Sequence, residues 1–364
     1  MTSSLTPGFD PAYTERCFEE NLRFLAEEYF RARLIGEQHL PLDQIGKRAI
    51  IVVANHSGMG LSWDNIILDF LLYDLLKRHH GGDGARAVRA KVVRIVDPLL
   101  VSHTMVRPFG IADWWTRIRA LPATFANFER AVQDKQMILV SPEGVAGIAK
   151  GYHRRYRLQR YSSGFLALAH KYGATVVPTS VVNAEYLRPY NYSFEPTNRW
   201  ARKIGMPFLP LGLGLPQLLF PATYLTAWPA KLTYVLHEPI EYLADEVARS
   251  RDALAAETRS FAERHQALLL RAVAAHHAPF DLTSLWRSFR ASRRKRMYLP
   301  FFWHEMFLRT AGVPKAWAPL FKVPAGYPLI WAARRLGGRG ASERGAGGVL
   351  DREREREETH DVAA

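Results

Sequence analysis

Short runs of β-branched residues, each followed by a polar turn and a helical pattern, constrain the fold of this chain more than any other sequence feature. The clearest run, residues 49–54 (AIIVVA), is typical of a strand buried on both faces. Similar strands are predicted at residues 91–96, 137–140, 175–182 and 231–237. Because strands alternate with helices, we predict an α/β fold with a mainly parallel central sheet flanked by helices.

The remaining sequence predicts helices around this sheet. An amphipathic helix is expected over residues 10–34, where Asp10 can cap the first turn and Pro11 suits the first helical position. Further helices are predicted over residues 64–78, 114–134, 162–172 and 245–277. Four parts follow: an N-terminal helical segment (1–47), a central α/β domain (48–245), a helical, basic and aromatic C-terminal arm (246–337) and a disordered tail (338–364).

Positive charge is concentrated near the C-terminal end of the chain. Residues 285–344 hold thirteen Lys and Arg against two acids, a net charge of +11 out of the chain's +14. Large aromatic residues, among them Trp286, Trp303 and Trp317, are interleaved with this charge. A localised basic patch indicates an anionic partner, and basic residues beside aromatics are typical of an anchor on an anionic membrane surface.

Cysteine usage and the apolar segments limit the class of protein. The single cysteine, Cys17, excludes an internal disulfide and a cysteine metal cluster, and no metal site is expected. The N-terminus shows no secretory signal pattern. Residues 204–230 carry no charge but five prolines, so a spanning helix is not expected there. This segment is either a buried loop or an apolar lid beside a lipid site.

The first candidate for chemistry is residues 55–64, NHSGMGLSWD, directly after the first predicted strand. This order places His56 at the carboxyl edge of the sheet, where open α/β proteins bind ligands. If Asp64 bonds one ring nitrogen, it fixes the tautomer and leaves the other nitrogen free to accept a proton. The alternative is that Asp64 only caps its own helix and His56 is a polar loop residue.

Two further segments follow predicted strands in the same order. Residues 141–144 (SPEG) come directly after the strand MILV, and residues 177–182 form a strand that contains a proline. Each segment alone is also compatible with an ordinary turn or strand.

Together and in this order, the segments resemble the lysophospholipid acyltransferase, or glycerol-phosphate acyltransferase, superfamily over residues 48–245. Residues 142–150 and 156–160 are similar to the bacterial branch that includes monoacylglycerol and diacylglycerol acyltransferases. The resemblance implies that His56 is the catalytic base and Asp64 its partner. It also implies that substrate is bound by Pro142, Glu143, Gly144, Asn55 and Ser57.

The reaction implied by the resemblance is transfer of a fatty acyl group from a coenzyme A or acyl-carrier-protein thioester to a glycerolipid or lysophospholipid hydroxyl. The hydroxyl would attack directly, without an acyl-enzyme and without a further cofactor. The implied role is lipid or phospholipid biosynthesis, on the cytoplasmic side of a membrane, as a peripheral or monotopic enzyme.

The sequence departs from the family pattern at three places. Seven residues instead of four separate His56 from Asp64, so a bulged loop must bring them together, and Ser141 replaces the usual Phe. The family's phosphate-binding Arg has no counterpart in residues 120–125, which leaves open whether the acceptor is phosphorylated or neutral. The nearby candidates for a phosphate site are Arg94, Arg107, Arg117 and Arg119.

Two rival functions are also compatible with the sequence. A nucleic-acid-binding protein would use the basic cluster at residues 287–296 with stacked aromatics, although the aromatic composition favours a membrane surface over nucleic acid. A catalytically inactive lipid-binding module would keep the same fold and lose the reaction.

Overall fold

The computed structural model of the chain describes residues 6, 8–81, 91–102, 111–203, 207–212, 227–245, 250–280 and 282–294. Within them, the fold is α/β, with a mainly parallel central sheet and helices on both faces, as the sequence predicts. The described strands are β1 (Arg33–Ile35), β2 (Ile50–Ala54), β3 (Val92–Val96), β4 (Ala120–Pro122), β5 (Met137–Val140), β6 (Thr175–Val182), β7 (Asn191–Tyr192), β8 (Leu211–Gly212), β9 (Thr233–Leu236) and β10 (Ile240–Glu241).

Helices cover the two faces of this sheet. The described α-helices are α1 (Pro11–Cys17), α2 (Trp63–His80), α3 (Pro98–Ser102), α4 (Ile111–Arg117), α5 (Phe125–Gln133), α6 (Gly144–Ile148), α7 (Gly164–Tyr172), α8 (Glu195–Lys203), α9 (Arg251–His276) and α10 (Leu282–Arg294). None of them is long and apolar enough to cross a membrane.

The sheet has the strand order β1-β9-β6-β2-β5-β3-β4, with β10 paired to β6, while β7 and β8 form a separate small ribbon. Strand β2 lies at the centre and runs parallel to both β5 and β6. The antiparallel pairings of the main sheet are those of β6 with β9 and with β10. The parallel arrangement brings the carboxyl ends of β2, β3 and β5 to one edge.

Side chains of β2 alternate between two cores, because successive residues of a strand point to opposite faces. Ile50 and Val52 pack in a core with residues of α1 and α2. Ile51 and Val53 pack in a second core with residues of α5, α7 and α9. This double burial explains why β2 is an unbroken β-branched run.

The N-terminal segment, residues 1–47, contributes a strand and core residues to the α/β sheet. After α1, two short π-helical segments continue the predicted helix as far as Tyr29 rather than residue 34. Strand β1 follows and pairs in parallel with β9. Phe18, Leu25 and Phe30 are fully buried in the first core. A segment that contributes a strand and large aromatic core residues cannot pack separately from the sheet.

The single helix predicted over residues 114–134 is wrong. These residues contain α4, β4 and α5, because Arg119 adopts a left-handed φ of 73° and β4 pairs with β3. Helix α9, which falls in the predicted C-terminal arm, packs on β6 of the sheet. Phe261 and Leu269 on α9 are buried, with Phe261 in the second core.

Several predictions fall outside the described residues. These are the arm beyond Arg294, the tail at 338–364, Arg107, and residues 204–206 and 213–226 of the uncharged segment. The predicted helix at 162–172 is confirmed as α7, and it ends at Gly173 with a left-handed φ of 64°.

Candidate active site

A cleft of about 1580 Å³ opens at the sheet edge where β2, β3 and β5 end. Parallel strands deliver the residues that follow their carboxyl ends to the same edge, and ligands bind there in open α/β folds. His56 after β2 and Glu143 after β5 both line the cleft. Most of the wall is apolar and includes Val96, Leu100, Phe128, Leu139, Ile148 and Phe208.

His56 and Asp64 form a hydrogen-bonded pair at the polar end of this cleft. The distance between His56 Nδ1 and Asp64 Oδ2 is 2.7 Å, and Asp64 is fully buried. Asp64 Oδ2 also accepts the backbone N–H of Ser57 at 2.9 Å. The Tyr234 hydroxyl donates to the Asp64 carbonyl oxygen at 2.6 Å, which holds the start of α2 against β9.

The seven-residue gap between these partners is closed by a bulged loop, as the sequence requires. Gly58 and Met59 have φ angles of 116° and 47°, so the backbone turns back on itself. The Met59 N–H donates to the Ile148 carbonyl oxygen at 3.1 Å and fastens the loop to α6.

The partner at Nδ1 decides what the imidazole can do. An ionised carboxylate accepts hydrogen bonds but cannot donate them, so the proton lies on Nδ1 and Nε2 has a free lone pair. Asp64 then stabilises the imidazolium that forms when Nε2 takes a proton. Ser62 Oγ lies 3.4 Å from Nε2. The pair can act as a general base towards a hydroxyl in the cleft.

Glu143 sits beside His56, but its carboxylate is used to hold the backbone. Its Oε1 accepts the His56 N–H at 2.9 Å and its Oε2 accepts the Gln159 N–H at 2.6 Å. Burial raises the pKa of this carboxyl, while Lys150 and the two N–H donors act in the opposite direction. Glu143 therefore positions the His56 loop, while its predicted substrate-binding role stays a prediction. Pro142 and Gly144 line the cleft on either side of it.

A buried lysine lies behind this arrangement. Lys150 Nζ is 3.5 Å from Glu185 Oε1 and 3.9 Å from Glu143 Oε2, and all three side chains are buried. Glu185 Oε1 also accepts the Ser57 hydroxyl at 2.7 Å. A cation between two buried carboxylates offsets their mutual repulsion.

Asn55 and Ser57, which the sequence also predicts to bind substrate, have hydrogen-bond partners within the protein. The Asn55 amide donates to the Val181 carbonyl oxygen at 3.1 Å and accepts the Val181 N–H at 2.6 Å, which fastens the end of β2 to β6. Ser57 is fully buried and donates to Glu185. Both residues shape the loop that presents His56.

Two of the predicted phosphate-binding arginines are engaged away from the cleft. Arg117 pairs with Asp10 at 2.8 Å. Arg119 donates to Gln136 Oε1 at 2.9 Å and is buried against the N-terminal segment. Arg94 does line the cleft, but its guanidinium forms a buried ion pair with Asp69. Arg94 is thus the one of these three arginines that lines the cleft, and the phosphate role of all three stays a prediction.

Two cations in the cleft wall were missed by the sequence reasoning. Arg160, in the loop before α7, and Arg259, on α9, are exposed and line the cleft. Neither forms an ion pair with a described residue, whereas the acid Glu263 lies in the same wall. Arg160 lies in a segment that the resemblance already singles out, but no sequence signal separates Arg259 from the other surface charges of α9.

The sequence is similar to mycobacterial proteins that are themselves uncharacterized. No protein-family model matches the chain. An uncharacterized protein of Mycobacterium leprae is 31% identical over 246 residues, which cover 67% of this chain and 60% of the relative. Uncharacterized proteins of Mycobacterium bovis and Mycobacterium tuberculosis are 29% identical over 237 residues, covering 64% of this chain and 58% of theirs. The match thus spans about three fifths of the length of these curated relatives.

Among solved structures, the chain is similar to the 1-acyl-sn-glycerophosphate (LPA) acyltransferase PlsC of Thermotoga maritima. The sequence identity is 17% and the TM-score is 0.40, over 71% of this chain and 79% of the other. Because the mycobacterial relatives are uncharacterized, activity has to be argued from the site itself.

Proposed function

We propose that this chain is an O-acyltransferase of the glycerolipid type, which moves a fatty acyl group from a thioester to a lipid hydroxyl. The observation that carries the proposal is the His56–Asp64 pair at the polar end of a largely apolar cleft of about 1580 Å³. Binding sites for small ligands commonly have volumes of roughly 300–1,000 Å³. The larger volume suits an acyl chain together with a second lipid.

The chemistry assigned to the pair is general acid–base catalysis. His56 Nε2 takes the proton of an attacking hydroxyl, whose oxygen bonds to the thioester carbonyl carbon. Asp64 stabilises the imidazolium. The tetrahedral intermediate collapses with loss of the thiolate, which receives the proton back from His56. The acyl group therefore ends on oxygen and the carrier leaves as a thiol.

The charges in the cleft support a choice of donor and acceptor within this proposal. Arg160 and Arg259 are suited to the phosphates of coenzyme A or of the acyl-carrier-protein prosthetic group. Arg117 and Arg119 are committed elsewhere, and Arg94 is neutralised by Asp69. We therefore favour a neutral acceptor such as a monoacylglycerol or diacylglycerol. This fits the bacterial branch that the sequence resembles.

The experiment that tests this function is thiol release followed by lipid analysis. The purified chain is given palmitoyl-CoA or palmitoyl-acyl carrier protein with monoolein, diolein or lysophosphatidic acid. We expect one new ester for each thiol released. His56→Ala should give neither thiol nor ester. Equal rates for the wild-type and His56→Ala proteins would overturn the proposal. So would the absence of product with every combination of donor and acceptor.

Attachment to an anionic membrane is the second part of the proposed function. Helix α10 packs on the N-terminal segment through buried Ser288, which donates to the Tyr29 carbonyl oxygen at 3.1 Å. Leu282, Trp286 and Phe289 lie four and three residues apart on the helix, on one face, and are 87%, 68% and 61% exposed. The exposed basic residues next to them are Arg287 and Arg290.

A vesicle-binding experiment distinguishes membrane attachment through α10 from the nucleic-acid alternative. Trp286→Ala with Phe289→Ala should weaken sedimentation with phosphatidylglycerol vesicles. Leu243→Ala, at an even more exposed apolar residue outside α10, serves as the control. Apolar burial is not screened by salt, so vesicle binding should fall with salt without vanishing. Binding to duplex DNA that is stronger at matched salt would favour the nucleic-acid alternative.

A further inference from the structure

We propose that Ser62 is itself acylated, so that the fatty acyl group passes through an ester on the enzyme before it reaches the lipid. The inference rests on the proposed acyl transfer, but it replaces the single direct attack on the thioester with two steps through an ester on Ser62. It differs from the direct attack that the family resemblance implies. Three observations carry it: the position of the Ser62 hydroxyl, its lack of a capping role, and the loop that delivers it.

The first observation is geometric. Ser62 Oγ lies 3.4 Å from His56 Nε2, while His56 Nδ1 lies 2.7 Å from Asp64 Oδ2. A serine, a histidine and an aspartate in this sequence of contacts form the constellation of a nucleophile, its base and the group that orients the base. Such contacts are often longer in ligand-free enzymes than in the complex with substrate. Ser62 also lines the cleft and is 8% exposed.

The second observation concerns the N-terminus of α2. Ser62 occupies the N-cap position, where serine normally accepts a hydrogen bond from the first turn of the helix. Its side chain makes no such bond, and its hydroxyl faces His56 instead. The partial positive charge at the start of the 18-residue helix would stabilise an alkoxide or oxyanion there. The serine is therefore oriented for chemistry rather than for capping.

The third observation is the long loop between the two partners. Seven residues separate His56 from Asp64, and the left-handed Gly58 and Met59 turn the chain so that Ser62 returns to the imidazole. A Cβ on Gly60 would lie 2.6 Å from the Arg188 guanidinium carbon, so a side chain at this position would need Arg188 to move. The loop thus has the length and the backbone freedom to present a nucleophile.

The acyl group is transferred in two steps. In the first, His56 takes the Ser62 hydroxyl proton, the Ser62 oxygen bonds to the thioester carbonyl carbon, and the carbon–sulfur bond breaks. The thiolate leaves and is protonated by His56. In the second, His56 takes the proton of the acceptor hydroxyl, whose oxygen attacks the acyl-Ser62 ester. The bond to the Ser62 oxygen then breaks, and that oxygen recovers its proton.

The test is a burst of thiol in the absence of acceptor. The full chain is mixed with palmitoyl-CoA alone, thiol release is followed by stopped flow, and the protein is digested for mass spectrometry. We expect release of about one thiol per enzyme in a fast phase. The peptide that contains Ser62 should carry one palmitate ester. Ser62→Ala should abolish both signals and remain folded, because no capping bond is lost.

Ser250→Ala is the control. Ser250 also precedes a helix, α9, but it caps that helix by accepting the Ala253 N–H at 3.2 Å, and it does not line the cleft. This variant should keep the burst and the label on Ser62. Rapid transfer to monoolein by Ser62→Ala at the wild-type rate, with no burst in the wild type, would overturn the intermediate and leave the proposed function standing.

A second probe distinguishes the Ser62 intermediate from the proposed function if the enzyme does not accept palmitoyl-CoA as a substrate. A long-chain alkyl fluorophosphonate reacts with a serine that is activated by histidine and loses fluoride. Labelling at Ser62 that is absent in His56→Ala would support the nucleophile even when no thioester is consumed. No labelling and no acyl ester at Ser62, in a protein that does transfer acyl groups, would refute it.

Discussion

Two buried histidines show how differently the same side chain is used in two regions of the molecule. His56 at the cleft is 8% exposed, and His265, where α9 packs on β6, is 1% exposed. His265 Nε2 lies 3.1 Å from the Thr179 carbonyl oxygen, and its Nδ1 lies 2.8 Å from the Tyr161 hydroxyl. Both ring nitrogens of His265 are therefore paired with neutral groups.

The difference lies in the partners rather than in the degree of burial. Because a carbonyl oxygen can only accept, the proton of His265 is on Nε2, and Nδ1 accepts from Tyr161. Burial lowers the pKa of His265 to about 3, so it stays neutral. His56 has a carboxylate at one nitrogen and a cleft at the other. A histidine that can gain a proton needs a charged partner and an approachable nitrogen.

The largest expected effect is the loss of catalysis in His56→Ala. General-base contributions are typically on the order of 100- to 10,000-fold, and we expect a loss of kcat/KM in that range. The free energy of unfolding should change little by comparison. Acyl transfer and thermal unfolding, measured on the same preparation, check both statements. His265→Gln is the contrasting variant, and it should keep turnover.

The second effect is the reduction of turnover in Asp64→Asn. The amide leaves the base in place but removes the charge that stabilises the imidazolium, so the loss should be smaller than in His56→Ala. Steady-state kinetics on the two variants and their double mutant give the comparison. If the two residues act as a unit, the double mutant should be no worse than His56→Ala.

The third effect concerns the support under His56. In Glu143→Gln, one of the backbone N–H groups of His56 and Gln159 loses its acceptor, and Lys150 loses a charged neighbour. We expect a loss of roughly 3 kcal/mol in the free energy of unfolding. Urea denaturation measures it, with Glu129→Gln, a surface carboxylate paired with Lys171, as the control. Equal stability of the two variants would contradict the positioning role.

The smallest effect is a change in the pH dependence of stability at His265. Its pKa is lowered from 6.5 to about 3 by burial, so below pH 6.5 the unfolded chain binds a proton that the folded chain does not. The free energy of unfolding therefore decreases as the pH is lowered, and this residue alone accounts for a decrease of about 2 kcal/mol from pH 7 to pH 5. Denaturation of wild type and His265→Gln at the two pH values should show a shallower slope in the variant.

The parts of the molecule that could be predicted from sequence are those fixed by local pattern. The β-branched runs of β2, β5 and β6 predicted buried parallel strands, and the motif order placed His56 and Glu143 at one edge. The contact between His56 and Asp64 was also predicted, because two glycines allow the loop to bulge.

The rest depends on contacts between distant residues, which a single sequence does not display. Arg119 and Asn55 look like candidate ligands until the structure shows Gln136 and Val181 beside them. The left-handed backbone at Arg119, which divides a predicted helix, is equally invisible. Arg259 is one of several charges on α9, and its place in the cleft follows from how that helix packs on β6.

The cleft is assembled from two sources that are separate in the sequence. Its reactive end comes from the turns after β2 and β5, while much of its length is walled by residues 158–165, the 207–210 segment and α9. Substitutions at Pro207, Phe208 or Ala262 leave the bonds of His56 untouched. Evolution can therefore change which acyl chains the cleft accepts without changing the reaction. Sequence differences among descendants of this protein should accumulate in the residues that line the cleft walls.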